Sequence, residues 1–407
     1  MQEFLQSTLL NIVSFVLVLS LVVTIHELGH FWAARWLGIA VDRFAIGFGR
    51  PLLRRVDRSG VEWRVGWLPL GGYVRFSGDA EASSTVPDAE SLDEMRDRIR
   101  RIEGEGAERR YFHFKPIWAR AIVVAAGPFA NFILAIVLFA ALLLSFGEML
   151  LLPRVGGVVE NSAASQAGFR AGDLIRTADG RAINDFRDLQ VYVSLRADQP
   201  ITFTVDRSGA PLTIVATPRR TEQVDPVSGS TTRLGALGIR NSTDKADLVR
   251  RHYNPAEALV GGVTKSWTVL DTTLTYIGRI VRGQESADLL RGPLGIARTS
   301  GAVAKAGAEG APDLASAVFG SGVNLISLAA VLSVSIGFMN LLPLPVLDGG
   351  HLLFYAYEAI ARRPLGARVQ AAGYRVGLAL LLGLMLFATW NDLQQLRVFK
   401  LIGGLFS

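Results

Sequence analysis

Apolar residues in this chain gather into four long blocks, at 9–37, 121–146, 323–342 and 376–390, separated by stretches that alternate polar with apolar positions or collect charge. The first three blocks reach the roughly 20 residues that an α-helix needs to cross a bilayer, and the fourth is shorter. With their flanks they predict four membrane helices, at 1–40, 117–150, 321–350 and 372–391. After the first block, Phe44-Ala-Ile-Gly-Phe-Gly, Val61-Glu-Trp-Arg-Val-Gly-Trp and Gly72-Tyr-Val-Arg-Phe alternate aromatic and polar residues between Gly and Pro breaks. That is the pattern of short strands, here expected as a hairpin sheet beside the membrane within a loop spanning 41–116. The remainder of that loop, from Ser77 to Arg110, is charge-rich and predicts a flexible or helical excursion.

The texture changes after the second block. Val155-Gly-Gly-Val-Val reads as a strand, Ser162-Ala-Ala-Ser-Gln-Ala-Gly as a small-residue helix ending at Gly168, and Gly172-Asp173 as a turn before another strand. A helical run from Asp185 to Leu195 and a strand at Ile201-Thr-Phe-Thr-Val complete one compact α/β module over 151–222, with no second copy. Thr221 to Thr232 looks like a linker. Within the following region, 223–320, Leu259, Val263, Trp267, Leu270, Leu274, Ile277 and Val281 repeat at helical spacing. They predict an amphipathic helix that lies at the membrane surface or packs on a core. A loop at 351–371 and a tail at 392–407 account for the rest.

Composition sharpens this picture. Half of the 407 residues are apolar, which is unusual for a soluble enzyme. There is no cysteine, so disulfides, cysteine-based zinc sites and thiol redox motifs are excluded, and any metal must sit on His, Asp or Glu. The formal charge of +6 comes from arginines spread between the apolar blocks; they read as membrane-flanking charges, and no nucleic-acid partner is expected. Arg43, Arg50, Arg54, Arg55, Arg58 and the cluster from Arg96 to Arg110 place the 41–116 loop in the cytoplasm by the positive-inside rule. Both termini and the α/β module then lie outside, while Arg362, Arg363 and Arg368 put the 351–371 loop inside again. No basic residue precedes the first apolar run, a poor fit to a cleavable signal peptide.

The chemistry sits in two distant places. His26-Glu27-Leu28-Gly29-His30 is an H-E-x-x-H motif, whose histidines fall one helical turn apart on one face with the glutamate beside them. It lies inside an apolar span, where an acidic residue at the helix centre costs on the order of 3 kcal/mol unless a metal or a wet cavity partners it. A hydrolytic zinc site uses three protein ligands and keeps a position for water. The candidate third ligand is Asp348 in Asn340-Leu-Leu-Pro-Leu-Pro-Val-Leu-Asp-Gly-Gly-His, with His351 as an alternative. Pro343 and Pro345 interrupt the third helix, and Gly349-Gly350 suggests a tight turn, so Asp348 is expected on irregular backbone inside the membrane. Glu27 is the candidate general base. Asn340 could bind substrate backbone or an oxyanion or make an inter-helical bond, and Asn131, four residues after Gly127, could contact substrate or serve close helix packing.

Together, His26-Glu27-Leu28-Gly29-His30, Gly127-Pro128 with Asn131, and Asn340 through Asp348-Gly349 resemble the site-2 protease family (M50), and within it the bacterial RseP-type regulators of intramembrane proteolysis. Ala167-Gly168, Ala171-Gly172-Asp173 and Asp179-Gly180 in the external module resemble the PDZ domain that such proteases carry, here single where enterobacterial relatives have two. The resemblance implies a mainly α membrane protein of the bacterial inner membrane, with four transmembrane helices, a membrane-associated β-hairpin sheet and an inserted periplasmic α/β PDZ domain. It implies a zinc metalloendopeptidase with its active site toward the cytoplasm. Its substrates would be single-pass membrane proteins, such as anti-sigma factors or remnant signal peptides. The strands from Gly47 to Phe76, with Gly71, Gly72 and Tyr73, would pair with an extended substrate, and the PDZ domain would bind a C-terminal peptide or exclude bulky external domains. The alternatives are a catalytically silent PDZ-bearing membrane scaffold, which would most naturally lack Glu27 or a ligand, and a transporter, against which the absence of an inverted repeat weighs.

Overall fold

Residues 2–36 contain one glycine and no proline, and they form a single helix of 35 residues, α1 (Gln2–Trp36). The computed structural model describes residues 2–78, 89–224, 231–283 and 291–395. Gly38, with a positive φ of 65°, ends the helical path. The chain then enters β1 (Val41–Val56) and β2 (Glu62–Phe76), which fold back on each other. In their register Phe44 is flanked by both Trp63 and Val74, and Trp63 also lies opposite Arg55, so the segment 72–76 forms the outer edge of the sheet. A charged helix, α2 (Ala89–Glu103), occupies part of the excursion expected at 77–110, of which 79–88 lie outside the described residues. The second membrane helix is α3 (Ile117–Phe146), which carries Pro128 inside it.

The chain divides into two compact units, Met1–Phe139 with Gly262–Leu270 and Arg291–Ser407, and Ala140–Gly261 with Asp271–Leu290. The second unit contains β3 (Glu148–Leu151), β4 (Val155–Val158), α4 (Ala163–Ala167), β5 (Leu174–Ala178), β6 (Arg181–Ala182), α5 (Phe186–Ser194), β7 (Ile201–Arg207), β8 (Ala210–Ala216), β9 (Arg219–Val224), β10 (Thr231–Ala236), β11 (Ile239–Asn241) and β12 (Leu248–Arg251). Its main sheet has the order β6-β5-β7-β8. The small-residue helix α4 ends at Gly168 in the left-handed conformation, as the sequence suggests. Asp173 is buried and takes two bonds from the Arg207 guanidinium at 2.7 and 2.8 Å. The linker expected at 221–232 is instead part of a hairpin: β9 pairs with β10 from Arg219–Ala236 to Val224–Thr231. β11 pairs with β4 and Leu237 belongs to the same core as Phe203 and Ile175, so the module continues past residue 222. A sequence reading misses this because the ends of a sheet are set by partners far along the chain.

The helices that follow are α6 (Pro255–Val281), α7 (Pro293–Ala308), α8 (Leu314–Asn340), α9 (Asp348–Ala361) and α10 (Ala367–Gln395). Asn254 and Glu257 cap α6 reciprocally, which fixes its start at Pro255. Among the described residues, four helices are long and apolar enough to cross a membrane: Gln6–Trp36, Ile117–Phe146, Leu314–Asn340 and Arg368–Gln394. The third begins earlier and the fourth is longer than their apolar blocks imply. The tail from 396 on lies outside the described residues.

Two elements depart from expectation in the first unit. The 223–320 region is not only linker and amphipathic helix, because α7 packs against α1 and α8. A Cβ on Gly301 would meet Asn11, and one on Gly307 would meet the backbone of Gly320, so glycines permit this close approach. The expected 351–371 loop is helical up to Ala361.

Packing around the hairpin joins Phe31, Phe44, Val61, Phe76, Phe112, Val123 and Tyr355 in one buried cluster, which seats the sheet against α1, α3 and α9. Glu62 lies buried at the edge of this cluster and accepts from Arg43 Nε and Arg64 Nη2, each at 2.8 Å, with Arg54 on its other oxygen. Desolvation would raise its pKa, but the hydrogen bonds from Arg64 and Arg43 hold it down at about 2, against an ordinary value of 4.5. A depressed carboxylate stabilises the fold above its unfolded pKa and loses that contribution as pH falls toward the folded value. Amide protection factors in β1 and β2 should therefore drop between pH 4.5 and 2, and Glu62→Gln should make them low and pH-independent across that window. Unchanged protection in wild type down to pH 2 would contradict this.

Candidate metal centre

His26 and His30 stand one turn apart on α1, and their Nε2 atoms are 3.2 Å from each other. Asp348, the first residue of α9, brings Oδ2 to 3.3 Å from His26 Nε2 and 3.6 Å from His30 Nε2. Among the described residues these three form the group of metal-ligating side chains whose donor atoms converge. The delivery of Asp348 follows from the break after α8. Leu341 to Leu347 includes Pro343 and Pro345 and cannot continue the helix; tight bonds from Leu344 N to Leu342 O and from Leu347 N to Leu344 O turn the chain before α9 begins. Here the sequence reading needs correction. Gly349 and Gly350 are not a turn but the first helical residues after Asp348, and a Cβ on either would come within 2.2 Å of the carbonyl oxygens of Leu341 or Leu344. Their small size lets the helix start directly against the preceding loop.

The atoms behind the histidines settle which nitrogen each one points forward. His30 Nδ1 donates to the Val123 carbonyl at 2.8 Å, leaving Nε2 as an acceptor. His26 Nδ1 faces the Asn131 amide at 3.3 Å. Asn131 is fully buried and its Oδ1 has no partner, so an amide turned over would accept the Nδ1–H and leave His26 Nε2 free as well. Ser333 holds the backbone of Asn131 through a 2.7 Å bond to its carbonyl. Two acceptor nitrogens and the buried, donor-less Asp348 Oδ2 then face one another. This arrangement fits a zinc ion: ligand distances of about 2.0–2.1 Å in a tetrahedron require donor atoms about 3.3 Å apart, and the observed separations are 3.2, 3.3 and 3.6 Å.

These residues open on a cavity of about 610 Å³ lined by Glu27, Gly72, Tyr73, Val74, Asn340, His351 and Tyr374 among others. Glu27 receives a backbone hydrogen bond from Val74 on the outer edge of the sheet. Gly72 gives the glutamate room, since a Cβ there would lie 3.1 Å from Glu27 Cγ. Of the sequence candidates for substrate contact, Asn340, Gly72 and Tyr73 line the cavity. Asn131 does not, because it stands behind His26, and Gly71 does not, because its Cβ position points at the Phe48 ring. His351 lines the cavity but is outside the convergent triad, its ring bonded to Tyr374 Oη at 3.0 Å. Sequence reasoning missed Tyr374 and Val123, since an isolated tyrosine and a backbone carbonyl carry no motif.

Comparison with known proteins is consistent with this geometry. A family model described as "Peptidase family M50" matches residues 14–384. The chain belongs to peptidase family M50. It is similar to the metalloprotease MmpA of Caulobacter vibrioides, at 51% identity over 403 residues that cover 98% of this chain and 99% of that protein. Proteins named as zinc metalloproteases from Agrobacterium fabrum and Rhizobium meliloti match at 45% and 41% identity, each over 95% of this chain and 96% and 97% of their own. As an M50 peptidase the chain is a zinc metalloendopeptidase and an integral membrane protein, mainly helical with small sheets.

In this M50 chain, helix packing and the metal centre meet at Gly127. A Cβ there would lie 2.2 Å from His30 Nε2, and overpacking of this kind displaces side chains at about 1–3 kcal/mol. Gly127→Ala should therefore lower zinc content well below one ion per chain although it removes no polar group. Full zinc occupancy by atomic absorption would show that α3 yields instead.

Proposed function

We propose that this M50 peptidase hydrolyses peptide bonds within or near the transmembrane segment of single-pass membrane proteins, with His26, His30 and Asp348 as zinc ligands and Glu27 as general base. The observation that carries the reading is the convergence of three donor atoms from α1 and α9 beside Glu27, with both histidines on a helix long and apolar enough to cross a membrane. Zinc, when bound, supplies Lewis acidity that polarises the scissile carbonyl and makes water nucleophilic near neutral pH. Glu27 takes the proton of the attacking water and passes it to the leaving amine nitrogen. Val74 N–H orients the carboxylate for this transfer, and Asn131 and the Val123 carbonyl hold the histidines in the ligating tautomer.

The outer edge at 72–76 supports a substrate-binding role for the sheet. A helical substrate must be extended before its amide can reach a base, and an edge strand supplies main-chain hydrogen bonds to an extended segment. Gly72 and Tyr73 would line that segment, with Asn340 on the opposite wall. Anti-sigma factors already shortened by another protease, or remnant signal peptides, fit such a site. The α/β module is read as a single PDZ domain over about 151–222 and the strands after it, able to receive a peptide C-terminus or to exclude an intact external domain. Arginine placement supports a bacterial inner-membrane orientation with the centre toward the cytoplasm and with the termini and the module outside.

His26→Ala and Asp348→Asn should lose bound zinc; normal zinc in both would remove the ligand assignment. Glu27→Gln should keep its zinc yet cleave a truncated single-pass substrate about 10²- to 10⁴-fold more slowly, and near-normal turnover would exclude it as the base. In intact cells, cysteines placed at Arg55 and Asp185 should be labelled from the cytoplasmic and external sides respectively, and the reverse pattern would overturn the orientation.

A further inference from the structure

Asp348 approaches the histidines because α9 lies at one height and one rotation relative to α1. Beyond the apolar cluster around Tyr355, a polar contact holds α9 ten residues past Asp348, at Glu358. Arg120, near the start of α3, is 6% exposed and donates through Nη2 to Glu358 Oε1 at 2.7 Å. Its guanidinium also lies over the Tyr355 ring, 4.9 Å from the centroid. Through Nε it donates to the Lys115 carbonyl at 3.2 Å. Lys115 in turn donates from Nζ to the Leu37 carbonyl at 2.7 Å, just past the end of α1. A continuous polar path thus runs from the helix that holds the histidines, through the base of α3, to the helix that holds Asp348.

The two partners on α9 fix it in two respects. Tyr355 is seven residues from Asp348 and shares its helical face, lining the catalytic cavity, while Glu358 is one turn further on and rotated away. One rigid, planar guanidinium that holds both a ring and a carboxylate defines the rotation of the helix as well as its height. Sliding or turning α9 by a single residue would break both contacts and carry Asp348 away from His26 and His30.

We infer that Arg120 and Glu358 form a positioning pair for the metal centre: they set α9 so that Asp348 completes the ligand group. This rests on the ligand assignment above. The test is zinc retention against a graded chelator, in full-length protein, for Arg120→Gln, Glu358→Gln and the double variant, with the melting temperature of the zinc-stripped protein measured alongside. Each single substitution should weaken zinc affinity at least about tenfold, the low end of the loss seen when the support of a ligand is removed. The double variant should be no weaker than either single, because both cut the same link. Zinc retention equal to wild type in Glu358→Gln, while Asp348→Asn still loses the metal, overturns the positioning role and leaves the ligand assignment standing. Multiplicative losses in the double variant, or lower melting of the stripped protein without any change in zinc affinity, overturn it too. Retention of zinc by Asp348→Asn would instead overturn the ligand assignment itself.

Discussion

Three lone pairs aimed at one point within a bundle of apolar helices constitute the constraint from which the rest of the first unit follows. Two imidazole nitrogens stand 3.2 Å apart with a carboxylate oxygen within 3.6 Å of both, and His30 Nδ1 is engaged behind by the Val123 carbonyl. A cation seated among them would satisfy all three, and in an apolar span an unpartnered carboxylate would be driven to protonate or to leave. The surrounding elements supply hydrogen-bond partners behind the two histidines and room beside them. Val123 and Asn131, itself held by Ser333, provide the first, and Gly127 provides the second.

The same requirement explains why the third membrane helix stops where it does. A helix running on past Asn340 would offer the centre only side chains on its own face, and Pro343 and Pro345 end it one loop earlier. α9 then restarts with Asp348 at its first position, where the helix N-terminus also favours a negative charge. The sheet fills the remaining side. Its outer edge touches Glu27 through Val74, so the elements that hold the acidic side chain are also those that leave an extended strand's edge beside it. The α/β module is stabilised independently, by the core around Phe203 and Ile175 and by the buried pair of Asp173 and Arg207.

How much of this was legible in the chain depended on whether the signal was local. The four spans, the H-E-x-x-H pair, the hairpin strands and the apolar repeat of α6 were read from short stretches, because each is set by periodicity or spacing within a few turns. α7 was not, since three glycines and alternating small and polar residues give no apolar stripe, and its helix is held by contacts with α1 and α8. The Gly349-Gly350 pair misled for a related reason. A double glycine reads as a turn when only backbone freedom is considered, whereas here it answers the carbonyls of Leu341 and Leu344 pressed against it.

By itself the sequence determined that the protein spans a membrane, that any metal would be held without sulfur, and that His26, Glu27, His30 and Asp348 were the residues to watch. Those conclusions follow from composition and short spacing, which are properties of the chain before it folds. Only the tertiary structure decided that Asn131 serves His26 rather than the cavity, that Glu27 leans on the sheet, and that Arg120 meets Glu358 across 238 residues. Contacts between distant segments are chosen by the packing of whole helices, and no stretch of sequence short enough to read by pattern contains both partners.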